Sequence, residues 1–515
     1  MTDDEQTPVL IGCGQITDRA EPAQGKTPVE LMALAAQSAA GDAGPGAALL
    51  QAIDAMVAVG LVVDSPEIKN PAAGMYKNVP QTVCNLLGID PAHKRYTHPG
   101  GNTPQMLVNH YAQLIAQGDA SAVLLTGAEA LATMIGRLKQ GLPLEGWSDD
   151  PGGTPQMIGD GRLAGSDHEM LYDIHTPANT FPLFENALRD KYGRTLGQHQ
   201  QKMGELYQGF NQVAVGNPLS WFPAACSAQE IATPTDENRY VGFPYTKYLN
   251  SVIQVNQGAA LILTSVARAR ELGVAEDRMV YLHGCADALD IWNVTGRSNY
   301  HSSPAVRAMG ESAFAMAGKT VADMNFLDIY SCFPAAVQIV CDELGIAHDD
   351  PRGLTVTGGL PYFGGPGNNY VMHSIATMMQ RLRDRPGSFG MLNALGWFVT
   401  KHAIGIYSTT PISTPWQRED PAAYQEALTQ ADGPPFTETP QGRATIETYT
   451  VLHGRKGVER GLVIGRLDDG TRFLAETPDD PQLLTRLTQV EGVGLKGSVS
   501  RVGEKNIFWP EFEAQ

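Results

Sequence analysis

Apolar positions recur along this chain in two rhythms, one of period two and one of period three to four, and the rhythms alternate. Val9 to Ile16 reads as a strand, and PVELMALAAQSAAGDAG that follows reads as a helix with Leu31, Leu34 and Ala35 on one face and glycines past its end. AIDAMVAVGLVV (52–63) reads as a buried strand, and the next helix closes in VCNLLGI at Gly88. After Gly100-Gly101 a third helix carries Leu107, Tyr111, Leu114 and Ile115 on one stripe, stops near Gly118-Asp119, and leads into the short strand AVLLTGAEA (122–130).

The same order returns further on. VRAMGESAFAMAGKT is a helix, NFLDIY a strand ending at Tyr330, and VCDELGI closes the next helix. Gly358-Gly359 follows Cys341 at almost the distance at which Gly100-Gly101 follows Cys84. Val371, Ile375, Met378, Met379 and Leu382 then form a second helical stripe, with GSFGMLNALG and AIGIYST as the last strands. A βα order met twice implies a duplicated α/β fold in which each half brings a glycine loop to one shared core. Between the halves, 131–235 is rich in Gly, Pro and charge. LKQGLPLEGWSDDPGGTPQMIGDGR reads as irregular, whereas TFPLFENALRDKYG and HQQKMGELYQGFNQVAVG look helical, so this reads as an inserted binding region or lid, with a decorative surface insertion as the alternative. The divisions that follow are 1–130 with 236–265 as the first half, 131–235 as the insertion and 266–411 as the second half. A linker at 412–440 and a small β domain at 441–515, plausible as a five-stranded barrel, complete the chain. The Asp468-Asp469-Gly470 turn is a strong hairpin signal in that domain.

Composition narrows the function. The 515 residues, 43% hydrophobic and 18% charged, can bury a large core. A formal charge of −18 argues against general affinity for nucleic acid or anionic membrane, so no nucleic-acid partner is expected, and an anionic ligand needs a local basic pocket. The 6 cysteines show neither metal nor disulfide spacing, which fits reduced thiols in a cytoplasmic protein. His168-Glu169 lacks the second histidine of a zinc helix, and no metal is expected. The acidic start has no signal pattern, and no apolar run is long enough to span a membrane.

Several phrases in register resemble the thiolase superfamily, in particular the sterol-carrier-type thiolases and their thiolase-like, acetyl-CoA acetyltransferase-like relatives. NRYVGFPYTKYLNSVIQVNQGAALILTS is similar to the segment leading from the loop domain back into the first half. GGNTPQMLVNHYAQLIAQGDASAVLLTG is similar to the nucleophile loop and its helix. DIYSCFPAAV, GGLPYFGGPG and NALGWFVTKHAIGIY resemble the N-E-A-F or H-D-C-F, G-H-P and C-x-G segments. The resemblance covers about residues 5 to 410, and the C-terminal strands resemble the extra β domain of some thiolase-like proteins. It implies a five-layered fold, a coenzyme A thioester as substrate or ligand, no bound cofactor, and enolate C–C bond chemistry; a homodimer or a partner subunit stays open.

The departures fall on the chemistry. The resemblance puts the nucleophile at Gly101, with Thr103 the nearest side chain bearing a nucleophilic group, the activating histidine at Gly365 and the second cysteine at Ala394. Tyr330 stands where the third motif opens with Asn or His. There a phenol can donate to an enolate or, with a lowered pKa, act as base; the alternative is a strand-end core tyrosine. Cys332 and His373 are further catalytic candidates, the latter lying in the helix after the second loop, and His98 borders the first loop. Cys84 and Cys341 read as core. Gly100, Gly101, Gly364, Gly365, Asn368, Asn369 and Gly396 are candidates for an oxyanion site, with helix capping the alternative for the two asparagines. Arg189, Lys191 and Lys202 lie in the insertion, where relatives bind CoA, and solvated helix faces are their alternative. Two readings therefore stand side by side: a cysteine-free enzyme, best as a retro-aldolase of β-hydroxyacyl-CoA esters like the thiolase-like aldolases of sterol side-chain breakdown, and a non-catalytic acyl-CoA or lipid-binding protein.

Overall fold

The computed structural model describes residues 3–65, 74–430 and 433–512. The first half runs β1 (Pro8–Thr17), α1 (Pro28–Ala43), α2 (Ala47–Gln51), β2 (Ala55–Ala58), α3 (Val79–Leu87), β3 (His93–Thr97), α4 (Thr103–Gln117) and β4 (Ala122–Ala130). Thr27 and Glu30 close a capping box on α1, while Gly88 and Gly118 end α3 and α4 in the left-handed region. The insertion holds α5 (Leu131–Lys139), β5 (Gln156–Ile158), α6 (Asp167–Leu171), α7 (Pro177–Lys191), α8 (Leu196–Gly216) and α9 (Ala228–Ala232), and the short strands β6 (Tyr240–Gly242) and β7 (Tyr245–Thr246) follow it. The chain then returns to the core as β8 (Asn256–Ser265), buried along its whole length.

The second half repeats the order with α10 (Val266–Glu271), β9 (Val280–Leu289), α11 (Pro304–Ala317), β10 (Phe326–Asp328), α12 (Pro334–Leu344), α13 (Tyr370–Asp384), β11 (Phe389–Gly396) and β12 (Lys401–Ser408). The halves share one ten-stranded sheet, because β1 pairs with β8 along its length and touches β9 only at Val9–Tyr281 and Leu10–Val280. α4 and α13 pack on each other and on strands of both halves, forming the buried middle layer, while α1 and α11 cover outer faces.

The duplication is imperfect in two places. Where β3 extends the first half, the second half shows one backbone bond among the described residues, from the Ile329 N–H to the Leu354 carbonyl (2.9 Å). The stretch between α12 and α13 is also longer than that between α3 and α4. Gly367, not Gly358, therefore stands three positions before its helix, as Gly100 does before α4. Gly358 and Gly359 pack instead against Ala214 and Phe210 of α8.

Other boundaries shift too. The 52–63 strand is β2 alone, followed by a 3-10 turn at Val62–Asp64, and β10 ends at Asp328, two residues short of Tyr330. The stretch expected to be irregular contains the end of α5 and all of β5, which pairs with β3 at the rim of the sheet. The linker carries α14 (Ala422–Thr429), anchored on β9 by Tyr424 Oη to the Asp287 carbonyl and by Gln425 to Leu289. Short-range Pro and charge signals hid it, because contacts with β9 rather than a long apolar stripe hold it in place.

The C-terminal strands β13 (Gly442–Gly454), β14 (Gly457–Leu467), β15 (Arg472–Glu476), β16 (Lys496–Val502) and β17 (Lys505–Pro510) form a closed five-stranded barrel, with α15 (Pro481–Leu487) beside β14. Its docking is polar and buried. Arg472 donates to the Thr295 and Arg297 carbonyls and pairs with Glu447, and Asn186 of α7 donates to the Tyr449 carbonyl (2.8 Å). Among the described residues no helix is long and apolar enough to cross a membrane.

Candidate functional site

The two glycine loops do meet, at a cavity of about 470 Å³. Gly100 and Gly101 form one wall, Gly365, Gly367 and Asn368 another, and Tyr330, Cys332 and Phe333 a third. The β11–β12 turn closes it with Leu395, Trp397 and Phe398; Trp397 and Val399 take φ of 56° and 57°, a strained region for such side chains. Among the described residues, none that lines the cavity is lysine or arginine.

Tyr330 stands against Gly101. A Cβ on Gly101 would lie 2.3 Å from the Tyr330 hydroxyl oxygen and 2.4 Å from the Leu395 carbonyl oxygen. Position 101 therefore holds glycine because phenol and backbone already fill the space of a side chain. The ring is fixed by its own backbone N–H, which donates to Asn393 Oδ1 (2.9 Å), and by edge contact with Tyr370. Burial, reinforced by Cys332 and Tyr370, pushes the phenol well above its ordinary pKa. It is a neutral hydrogen-bond donor, which corrects the expectation that it could serve as a base. Cys332 lines the same cavity, but burial raises its thiol far above the usual range, so it carries no thiolate.

Other candidates separate from this place. Thr103 is at the first turn of α4 and faces a different cavity, behind the loop. His373 is fully buried against Phe363, bonded to Gln15 (2.9 Å) and pushed down to about 3 by burial; it does not line the site. Asn369 donates to the Gly127 carbonyl (2.6 Å), away from the cavity. Asn368 is a clamp between halves, accepting from the Gly100 N–H (2.9 Å) and donating to the Gly60 carbonyl (2.8 Å). The Gly365 N–H is bonded to the Val252 carbonyl and the Gly367 N–H to the Gly365 carbonyl, so these amides are already committed. Gly364 packs on Gln257, and Gly396 on Asn102 and Lys401.

The three proposed CoA cations are also elsewhere. Arg189 is buried and pairs through two nitrogens with Glu491 of the barrel domain. Lys191 pairs with Asp342 (2.8 Å), and Lys202 with Glu205 (2.7 Å). Cys84 and Cys341 are core, as expected, and burial pushes the Cys84 thiol up to about 12.

Comparison with known proteins now adds a family. A structure described as a monomeric SCP2-thiolase-like protein type 1 from Mycobacterium smegmatis superposes with a TM-score of 0.84 at 35% identity, covering 98% of this chain and 99% of that one. The chain belongs to the SCP2-thiolase-like proteins of type 1. The profile of the thiolase-like protein type 1 additional C-terminal domain matches residues 423–504, which takes in α14 and most of the barrel. A 3-ketoacyl-CoA thiolase of Citrobacter koseri is 31% identical over 161 residues, 28% of this chain and 35% of that protein. The chain thus spans about a third of the length of the curated relatives it matches. An Ltp2–ChsH2(DUF35) aldolase shares the fold at a TM-score of 0.56 and 18% identity, covering 79% of this chain.

Within this thiolase-like frame, sequence reasoning missed His175, Thr176, Pro177 and Phe181, which line the cavity from the start of α7. Among the described residues His175 Nδ1 has no hydrogen-bond partner. Only the helical stripe of α7 hinted that this end faces inward. Glu129 was also missed: buried behind the cavity wall, it accepts from the Val62 N–H (2.7 Å) and stands where a Gly367 Cβ would fall. Burial, with Asp64 adding to it, raises this carboxyl to about 8.

Proposed function

We propose that this thiolase-like protein cleaves or forms a C–C bond next to an acyl thioester without a covalent cysteine intermediate. The observation that carries the reading is the Tyr330 hydroxyl occupying the space of any side chain at position 101. In the retro-aldol direction a base takes the proton of the β-hydroxyl, the Cα–Cβ bond breaks to a carbonyl product, and its electron pair forms the enolate of the thioester. Tyr330, neutral across the physiological range, donates to the enolate oxygen, and a proton returned to Cα completes the balance. His175 is the base of this proposal, since it lines the cavity with an unpartnered nitrogen.

The substrate class is an acyl-CoA-type thioester whose apolar acyl part fills the cavity among Phe181, Phe333, Leu360 and Phe398. Its phosphates would stay outside, beside Lys139 and Lys247. These line an adjoining groove that shares Ser251 and Ile253 with the cavity. The committed amides of Gly100, Gly365 and Gly367 favour the second reading, a binding protein, because these three are not free to hold an oxyanion. One experiment decides: incubation with acyl-, β-ketoacyl- and β-hydroxyacyl-CoA esters, followed by mass spectrometry of products and protein. Cleavage of a β-hydroxyacyl ester, lost in Tyr330→Phe, is the expected result. A bound ester with no product establishes the second reading, and an acyl adduct on Cys332 overturns both.

The protein acts as a monomer in this reading. β5 covers the outer edge of β3, so at that rim a second copy could pair only with the three residues of β5. Light scattering on the purified chain tests it.

A further inference from the structure

A second cavity, of about 420 Å³, lies on the other side of the first glycine loop. Thr103 and Met106 of α4, Ala288 and Leu289 of β9, and His402 of β12 form its walls, and Ala422 of α14 stands at its rim. The helix of the C-terminal addition thus completes this space, held by the bonds from Tyr424 and Gln425 to β9.

The polar groups here are unevenly served. Asp287 is answered by Arg418 and by Asn109 (3.0 Å), Asp160 by Arg162, and the Lys401 ammonium by the Pro99 carbonyl. His402 differs. It is 1% exposed, and among the described residues neither ring nitrogen makes a hydrogen bond of ordinary geometry, although the Val399 backbone bonds it weakly and Asp290 and Arg297 lie within electrostatic reach. Asn102, 7% exposed and lining the same cavity, has an Oδ1 without a partner among the described residues. Buried polar atoms left in this way are costly, and a ligand that bonds them recovers the loss. Burial keeps His402 neutral, near 4, so its ring offers one donor and one acceptor. Hydroxyl and carboxamide groups match that pair, whereas a carboxylate offers acceptors only.

From the poorly bonded His402 ring and the largely apolar surface of this partly open cavity we infer a second ligand site behind the glycine loop. It takes a small neutral molecule, apolar over most of its surface, that carries one hydroxyl or carboxamide. This does not rest on the chemistry proposed for the first cavity. The test uses the full chain with 15N-labelled histidine, titrated with benzamide, cyclohexanol and benzoate. Saturable binding of benzamide or cyclohexanol with a shift of the His402 ring nitrogens is expected, and benzoate should bind about tenfold more weakly. His402→Leu removes the bonding pair, and Ala422→Trp, on the exposed side of α14, blocks the mouth without touching the ring. Each should weaken binding by about tenfold or more. The site is refuted if neither neutral probe binds at millimolar concentration, or if both folded variants bind as well as the parent. Tighter binding of benzoate refutes the neutral ligand class.

Discussion

The two glycine loops look alike in sequence and differ in space. Gly101 has no room for a side chain, because the Tyr330 hydroxyl and the Leu395 carbonyl lie within 2.4 Å of where a Cβ would be. Gly365 faces the same cavity, yet a Cβ there would meet nothing closer than the Val252 carbonyl oxygen at 3.3 Å. One glycine is required by its surroundings and the other is permitted by them. A missing side chain therefore has two physical meanings, and only the first tells how the site is built.

The largest effect should come from restoring a thiol at the crowded loop. Gly101→Cys forces phenol and backbone apart and should lose about 1–3 kcal/mol or more in chemical denaturation. Adding Tyr330→Phe removes the hydroxyl but leaves the Leu395 carbonyl, so only part of the loss should return. A Gly101→Cys variant as stable as the parent would dissolve the contrast between the loops. Next in size is Tyr330→Phe alone. It should reduce turnover of any active β-hydroxyacyl-CoA ester by about 100-fold, the scale of one oxyanion donor, with little change in stability. Because the phenol sits well above its ordinary pKa, turnover should show no tyrosine ionisation below pH 10.

Behind the second loop, Glu129 sharpens the comparison through pH. Its folded pKa of about 8 stands above the value of 4.5 for a free carboxyl, so the native state holds a proton that the unfolded chain releases between those values. The native state then binds more protons, and stability falls as pH rises through that window. This contribution is complete below about 4.5 and gone above about 8. Glu129→Gln, which cannot ionise, should gain on the parent steadily between these limits and hold a constant lead above them. Denaturation midpoints across pH check this, and a constant difference would show that Glu129 titrates like a surface carboxyl.

Much of the fold was written in the periodicity. The paired heptapeptides mark the ends of α3 and α12, each stopped by a left-handed glycine, and their stripes place α4 and α13 between the halves. The ruler failed where loop length changed, so Gly358 was aligned with Gly100 although Gly367 takes that place. The site was less legible, because it depends on apposition between distant segments. Nothing near Gly101 announces the Tyr330 hydroxyl, and nothing near His175 announces the cavity. Charge misled for a related reason: Arg189, in an insertion expected to bind CoA, is a buried anchor for the barrel.

The smallest effect belongs to the permitted glycine. Gly365→Ala adds one methyl group at ordinary contact with the Leu360 side chain, at 3.4 Å, and close to the Val252 carbonyl oxygen. The backbone there is outside the left-handed region, unlike that of Gly364 and Gly367, so no strain is expected. Losing a glycine also restricts the unfolded chain, worth about 0.4–1 kcal/mol in favour of the folded state. These terms nearly cancel, and the denaturation midpoint should move little in either direction. Gly364→Ala, one residue earlier, is the control: its φ of 117° and the Gln257 oxygen 2.4 Å from a new Cβ should make it clearly destabilising. If Gly365→Ala is as damaging as Gly364→Ala, the second loop is as tightly filled as the first, and the two glycines have the same meaning after all.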